Sequence, residues 1–380
     1  PIKGTELVRN LPIAHQQMVE IARAFAYEVS IVIFDEPTTS LTDREKNILF
    51  RSIRQLKRRG AAIVYISHKL EEVFEISDRI TVLRDGKEVC TVDTSQTNRD
   101  QVTQFMIGRS LDDYYEKSRR ARTGDEILRV QNLTRKGEFH NIDFSLRKGE
   151  ILGFYGLVGA GRTEIAETLF GLRIPDSGKI FLKGKETRIN SPTDAMTLGI
   201  GLVPENRKEQ SLVLGMSAKD NLNLARMQDS SRLGLLDERD LGRVFEEYRT
   251  RLSISCAGPT QPVVSLSGGN QQKVAIAKWL ATKPDILILD EPTRGIDVGA
   301  KAEIHRLIAA LAEGGMAVIV ISSEMPEIIG LSDRIIAMHE GRITAEFTSR
   351  DVTEAKLITA IMGLPRQDEE SVVSSAQPAG

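Results

Sequence analysis

The sequence repeats itself at an offset of 255 positions. Leu11 falls on Leu266, Gln17 on Gln272, Asp35-Glu36-Pro37-Thr38 on Asp290-Glu291-Pro292-Thr293, Asp78-Arg79 on Asp333-Arg334, and Gly108 on Gly363, with no gap from Leu11 onward. A period this long means two copies of a whole domain, not a solenoid of short units. The second copy begins near Glu126, which leaves the first without roughly 130 residues at its start. The chain also opens on Pro1, so it reads as a fragment or a product with a misplaced start; a natural half-domain is the other reading. The expected division is a partial first domain over 1–109, a linker over 110–125, a complete second domain over 126–364, and a tail over 365–380. The polar composition of the tail predicts disorder.

Within the second copy, Ser267-Gly268-Gly269 opens an amphipathic helix and leaves backbone N–H groups free for an anion. The apolar run Ile286–Leu289 reads as a strand buried on both faces, with Asp290 and Glu291 at its C-terminal end. One carboxylate can hold Mg²⁺ while the next acts on water. Upstream, an apolar strand enters Gly156-Leu157-Val158-Gly159-Ala160-Gly161-Arg162-Thr163, whose glycines let N–H groups close around phosphate oxygens and whose Thr163 can ligate Mg²⁺.

The order Leu266-Ser-Gly-Gly-Asn-Gln-Gln, helix, strand, Asp-Glu-Pro resembles the signature and Walker B segments of the ABC ATPases, and 156–163 is spaced like their P-loop. The fold this implies is α/β, a P-loop NTPase (ABC ATPase) fold repeated in tandem with the first copy incomplete. The resemblance makes Glu36, His68 and Glu291 catalytic candidates, with Asp35, Thr163 and Asp290 for Mg²⁺. Gly156 through Thr163, Glu205 and Ser267-Gly268-Gly269 become the nucleotide contacts, and ATP with Mg²⁺ the bound species. Val203-Pro-Glu-Asn-Arg-Lys, followed by Leu212-Val-Leu-Gly-Met-Ser, looks like the second ATPase domain of bacterial monosaccharide importers, especially the ribose type.

Several positions depart from the family pattern. Pro12, Ile13 and Ala14 stand where Ser267, Gly268 and Gly269 do, which removes the hydroxyl and blocks the backbone. Arg162 replaces the P-loop Lys, and a planar guanidinium is not a compact ammonium. Glu205 replaces the Q-loop Gln, and Ser323 sits where the first copy has His68. In ABC ATPases two domains pair head to tail, each nucleotide lying between one P-loop and the other signature. That internal pairing implies unequal sites: a hydrolytic one with Asp35, Glu36, His68 and the intact signature, and a slow one with Arg162 and Ser323. This chain, without the first P-loop, is expected not to hydrolyse ATP at the better site. Phe139 lies where the family places an aromatic beneath adenine, and equally reads as a core residue.

A net charge of −2 gives no electrostatic reason to expect nucleic acid. Cys90 and Cys256 lack metal-ligand spacing and read as small apolar residues of a reduced compartment. No apolar run approaches the roughly 20 residues that span a bilayer. The resemblance therefore implies a peripheral protein on the cytoplasmic face of the inner membrane, working with separate permease subunits and, through them, a periplasmic sugar-binding protein. Ribose, xylose and galactose stay open as cargo. The rival readings are a soluble twin-domain ABC protein acting on ribosomes or DNA, and a non-hydrolysing regulatory module.

Overall fold

The computed structural model describes residues 4–26, 29–38, 41, 43–67, 69–84, 86–107, 124–228, 230–232 and 235–363. It divides into two compact units, Pro1–Tyr114 and Tyr115–Gly380. His68, the linker through residue 123 and the tail from residue 364 lie outside the described residues.

The first unit runs α1 (Ile13–Ala26), β1 (Ile31–Asp35), α2 (Asp43–Arg58), β2 (Ala62–Ile66), α3 (Leu70–Ile76), β3 (Arg79–Arg84), β4 (Lys87–Asp93) and α4 (Arg99–Ile107). β1 and β2 form a parallel pair, and β3 and β4 an antiparallel hairpin. Leu49, Ile53 and Leu56 recur at helical spacing on α2 and pack against Val32, Phe34 and Phe50, so the amphipathic stripe finds its core. β1 alternates buried and exposed residues. That is the pattern of a strand covered on one face.

The second unit begins with β5 (Glu126–Arg135), β6 (Phe139–Arg147), β7 (Ile151–Gly156), α5 (Arg162–Leu169), β8 (Ser177–Leu182), β9 (Lys185–Thr187), α6 (Pro192–Thr197) and β10 (Ile200–Val203). After one π-helical turn at Arg207–Ser211 come α7 (Ala218–Asn223), β11 (Ser231–Arg232), β12 (Leu235–Leu236), α8 (Glu238–Arg251) and α9 (Gly268–Leu280). The unit closes with β13 (Ile286–Asp290), α10 (Val298–Glu313), β14 (Ala317–Ile321), α11 (Met325–Leu331), β15 (Arg334–His339), β16 (Arg342–Thr348) and α12 (Glu354–Ile361). The main sheet has the order β10-β13-β14-β7-β15-β16, parallel except for β16, and β6-β5-β8-β9 form an antiparallel sheet. β7, β13 and β14 are buried along their whole length, as expected for parallel strands with both faces covered.

The 255-residue offset recurs in the backbone. β1 pairs with β2 from Ile31↔Ala62, and β13 with β14 from Ile286↔Ala317. The hairpin bulges fall at Val82/Leu83 and Ala337/Met338. Glu36 and Glu291 both take φ 47°, and their N–H groups donate to Ile66 O at 2.9 Å and Ile321 O at 2.8 Å.

Of the two readings left open for Phe139, the structure supports the core residue, since the ring is fully buried in the core of the second unit. α10 starts at Val298 because the Asp297 carboxylate caps it by accepting from Ala300 N at 2.9 Å.

Candidate functional site

Strand order places the site. β7 lies between β14 and β15, so the chain leaving β7 turns at the carboxyl ends of the parallel strands, where the β13 carboxylates also emerge. The turn needs its glycines for two reasons. At Gly156 a Cβ would lie 2.5 Å from Met338 O, and at Gly161, which takes φ +92°, it would lie 2.9 Å from Glu138 O. Gly161 is the N-cap of α5, so the helix start faces the cleft with its N–H groups.

Residues 158–164 line this cleft of about 460 Å³ with Glu205, Glu291, Arg294, Gly295, Ser323 and Glu324. Thr163 donates its hydroxyl to Asp290 Oδ2 at 2.7 Å. The other oxygen, Asp290 Oδ1, is buried without a hydrogen-bond partner among the described residues. Burial pushes the Asp290 carboxyl up to about 6; neighbouring Glu291 adds to the rise, and Thr163 and Arg162 oppose it. Glu291 is also raised, first by burial, while Ser323 lowers it by donating to Oε2 at 3.1 Å. Glu205 forms an ion pair with Arg294 across the cleft.

Arg162 does not reach into open space. Its side chain is 8% exposed, and Nη1 donates to Ser322 O at 2.9 Å. Ser322 in turn donates its hydroxyl to Glu327, which shares its other oxygen with His305 Nε2 at 2.7 Å. The P-loop cation is thus hydrogen-bonded to a strand end anchored by a buried carboxylate.

Ser267 caps α9 through Asn270, and the signature residues 267–269 are not among those lining the cleft. Gly268 and Gly269 also have a packing reason, since a Cβ would meet Arg207 Nη2 at 2.9 Å and Ala300 Cβ at 2.6 Å. In the first unit Asp35 and Glu36 end β1 as Asp290 and Glu291 end β13, and α1 begins at Ile13 after Pro12.

Arg294, Glu327 and Arg207 escaped the sequence reading. Glu327 had a signal in the repeat, because its equivalent Glu72 is also buried and accepts from Thr38 Oγ1 at 2.8 Å and from Tyr65 OH at 2.9 Å. Arg207 lay inside the Val203–Lys208 motif without a role, and Arg294 had no signal, since both act through contacts distant in sequence.

The family model described as ABC transporter matches residues 139–294. The ribose import ATP-binding protein of Bacillus subtilis is 47% identical over 351 residues, covering 92% of this chain and 71% of its own length. That of Streptococcus agalactiae is 46% identical over 356 residues, covering 94% and 72%. Among solved structures, CbiO1 of Clostridium perfringens, part of an ABC transporter complex, superposes with a TM-score of 0.53 at 25% identity, over 62% of this chain and 93% of its own. The ADP conformation of an ATP-binding cassette gives 0.54 at 21%, over 63% and 95%, a likeness of fold alone. This chain therefore belongs to the ABC transporter ATPases, in the group of ATP-binding proteins that includes the ribose-import ATPases.

Proposed function

We propose that the chain is the ATP-hydrolysing subunit that powers uptake of a monosaccharide, ribose or a close relative, through separate membrane permease subunits served by a periplasmic binding protein. No helix among the described residues is long and apolar enough to cross a membrane. The protein then works peripherally, on the cytoplasmic face. The first unit is the C-terminal part of one ATPase domain, and the region from Glu126 is a second ATPase domain.

In the second domain, backbone N–H groups of 159–163 hold the β- and γ-phosphates of ATP. Thr163 and Asp290 would hold Mg²⁺. They fit it: both offer hard oxygen donors, and Asp290 Oδ1 is a buried oxygen with no partner. Bound there, the metal supplies charge neutralisation on the phosphates. Glu291, held by Ser323, orients water, and Arg162 stays on Ser322 O unless a phosphate draws it away. With Ser323 in the switch position, this site holds nucleotide and turns it over slowly. Asp35, Glu36 and His68 form the faster set, for metal, water and γ-phosphate, on a nucleotide whose phosphate loop is not among these 380 residues. Ser267–Gly269, outside its own cleft, serves a nucleotide held by another ATPase domain.

The observation that carries this reading is the Thr163–Asp290 hydrogen bond beneath a Gly-rich turn. Mg-ATP titration of the chain should give about one bound nucleotide, and Thr163→Val should weaken binding at least about tenfold in Mg²⁺. Wild-type affinity in the Val variant, or no binding by the parent chain, overturns the assignment.

A further inference from the structure

Arg207 and Lys278 are both buried, 9% and 8% exposed, and among the described residues both bind only oxygens of neutral groups. Arg207 donates from Nη1 to Arg294 O at 2.7 Å and from Nη2 to Gly295 O at 3.0 Å, while its Nε has no acceptor among the described residues. Lys278 donates to Ser211 O at 2.7 Å and to Ser211 Oγ at 3.3 Å, with its ammonium 5.1 Å over the Trp279 ring. Burial alone lowers both cations, with no carboxylate offsetting it among the described residues. Holding a buried cation without a counter-charge is unfavourable, so such a pair is kept for a reason other than stability.

The two cations sit at the two ends of one structure. Arg207 and Ser211 are the first and last residues of the π-helical turn, a rare backbone form often found at functional places. Glu205 just before the turn lines the cleft, as do Arg294 and Gly295. α9 bridges both ends: Lys278 near its C-terminus holds Ser211, while at its start a Cβ added to Gly268 would lie 2.9 Å from Arg207 Nη2. The helix does not need this arrangement to form. In the first unit Lys278 is replaced by Arg23 of α1, exposed and paired with Glu20 at 3.0 Å.

We propose that Arg207 and Lys278 are positioning residues that tie the Glu205 loop, the 294–295 loop and α9 into one body, so that phosphate in the cleft reorients Ser267–Gly269. The proposal rests on the nucleotide reading of the cleft. A phosphate that draws Arg294 from Glu205 moves both walls of the cleft, and both are fastened through the turn to the signature helix.

Trp279, the single tryptophan of the chain, reports on α9. The full chain is titrated with Mg-ATP twice, once by calorimetry and once by tryptophan fluorescence. Wild type should give a fluorescence change that saturates with the calorimetric Kd. In Arg207→Met the Kd should stay within about threefold while the fluorescence change falls below about half, and Arg207→Lys should recover part of it. A full fluorescence response in Arg207→Met overturns the proposal, because the signal then travels through the Phe170–Trp279 edge contact, centroids 5.1 Å apart. Loss of binding and response together also overturns it, marking a purely structural residue. No calorimetric binding by wild type is the separate failure of the nucleotide reading. Should Arg207→Met not fold, hydrogen exchange on wild type decides: Mg-ATP must slow exchange at 207–211 and at 268–272 together, and protection of the first segment alone refutes the link.

Discussion

β1 and β13 follow the same path to the same pair of carboxylates, yet Ile33 is 65% exposed and its equivalent Ile288 fully buried. Strand bounds, pairing register and the left-handed glutamate agree between the copies. What differs is what lies against them. In the second unit β7 and β10 flank the β13–β14 pair and α5 lies against the sheet, whereas β1 and β2 form a two-stranded sheet among the described residues. Local sequence is therefore enough to specify the strand end, but how deeply that end is buried comes from the cover.

The strongest way to break this comparison is to place the same polar group in both strands. Ile288→Asn should destabilise the second unit by about 3 kcal/mol or more, because the amide enters a core with no partner. Ile33→Asn should change stability by less than about 1 kcal/mol at its exposed position. Urea unfolding followed by Trp279 fluorescence for the first variant, and by proteolysis of the first unit for the second, checks both; equal costs would sink the contrast.

Asp290 sharpens it. With its folded pKa at about 6, above the unfolded value of 3.8, the native state binds more protons between those values. The contribution to stability is therefore present at low pH and lost as pH rises through 6, reaching about 3 kcal/mol of destabilisation at pH 7.5. Asp290→Asn should raise the melting temperature of the nucleotide-free chain at pH 7.5 and leave it little changed near pH 4. Matching melting curves for Asp290→Asn and wild type at pH 7.5 would contradict the burial argument.

A smaller effect concerns turnover. Arg162→Lys with Ser323→His should raise single-turnover hydrolysis at the second site about tenfold, a barrier change of roughly 1.4 kcal/mol. No gain would mean that something other than these two positions slows it. Smallest of all, Arg23→Ala should cost less than about 0.5 kcal/mol in chemical denaturation, as its pair with Glu20 is solvent-exposed.

Much of the fold was legible. The repeat, the apolar strands and the Gly-rich turn are local patterns, and β13 extends only one residue past the apolar run Ile286–Leu289. Asp290 and Thr163, each named from its own motif, lie far apart in sequence and are joined by a hydrogen bond in the fold. The burial of Phe139 was left open, because an aromatic at a strand start looks the same whether it faces a base or the core.

By itself the sequence determined which elements form and which residue types reach the strand ends, since periodicity, glycine placement and helix caps act over a few neighbouring residues. Only the tertiary structure decided that Arg162 hydrogen-bonds to Ser322 O, that Asp290 holds its proton up to about pH 6, and that Arg207 and Lys278 are buried on carbonyls. Each of these depends on groups brought together from distant stretches, and burial multiplies the strength of charge interactions that spacing along the chain does not encode.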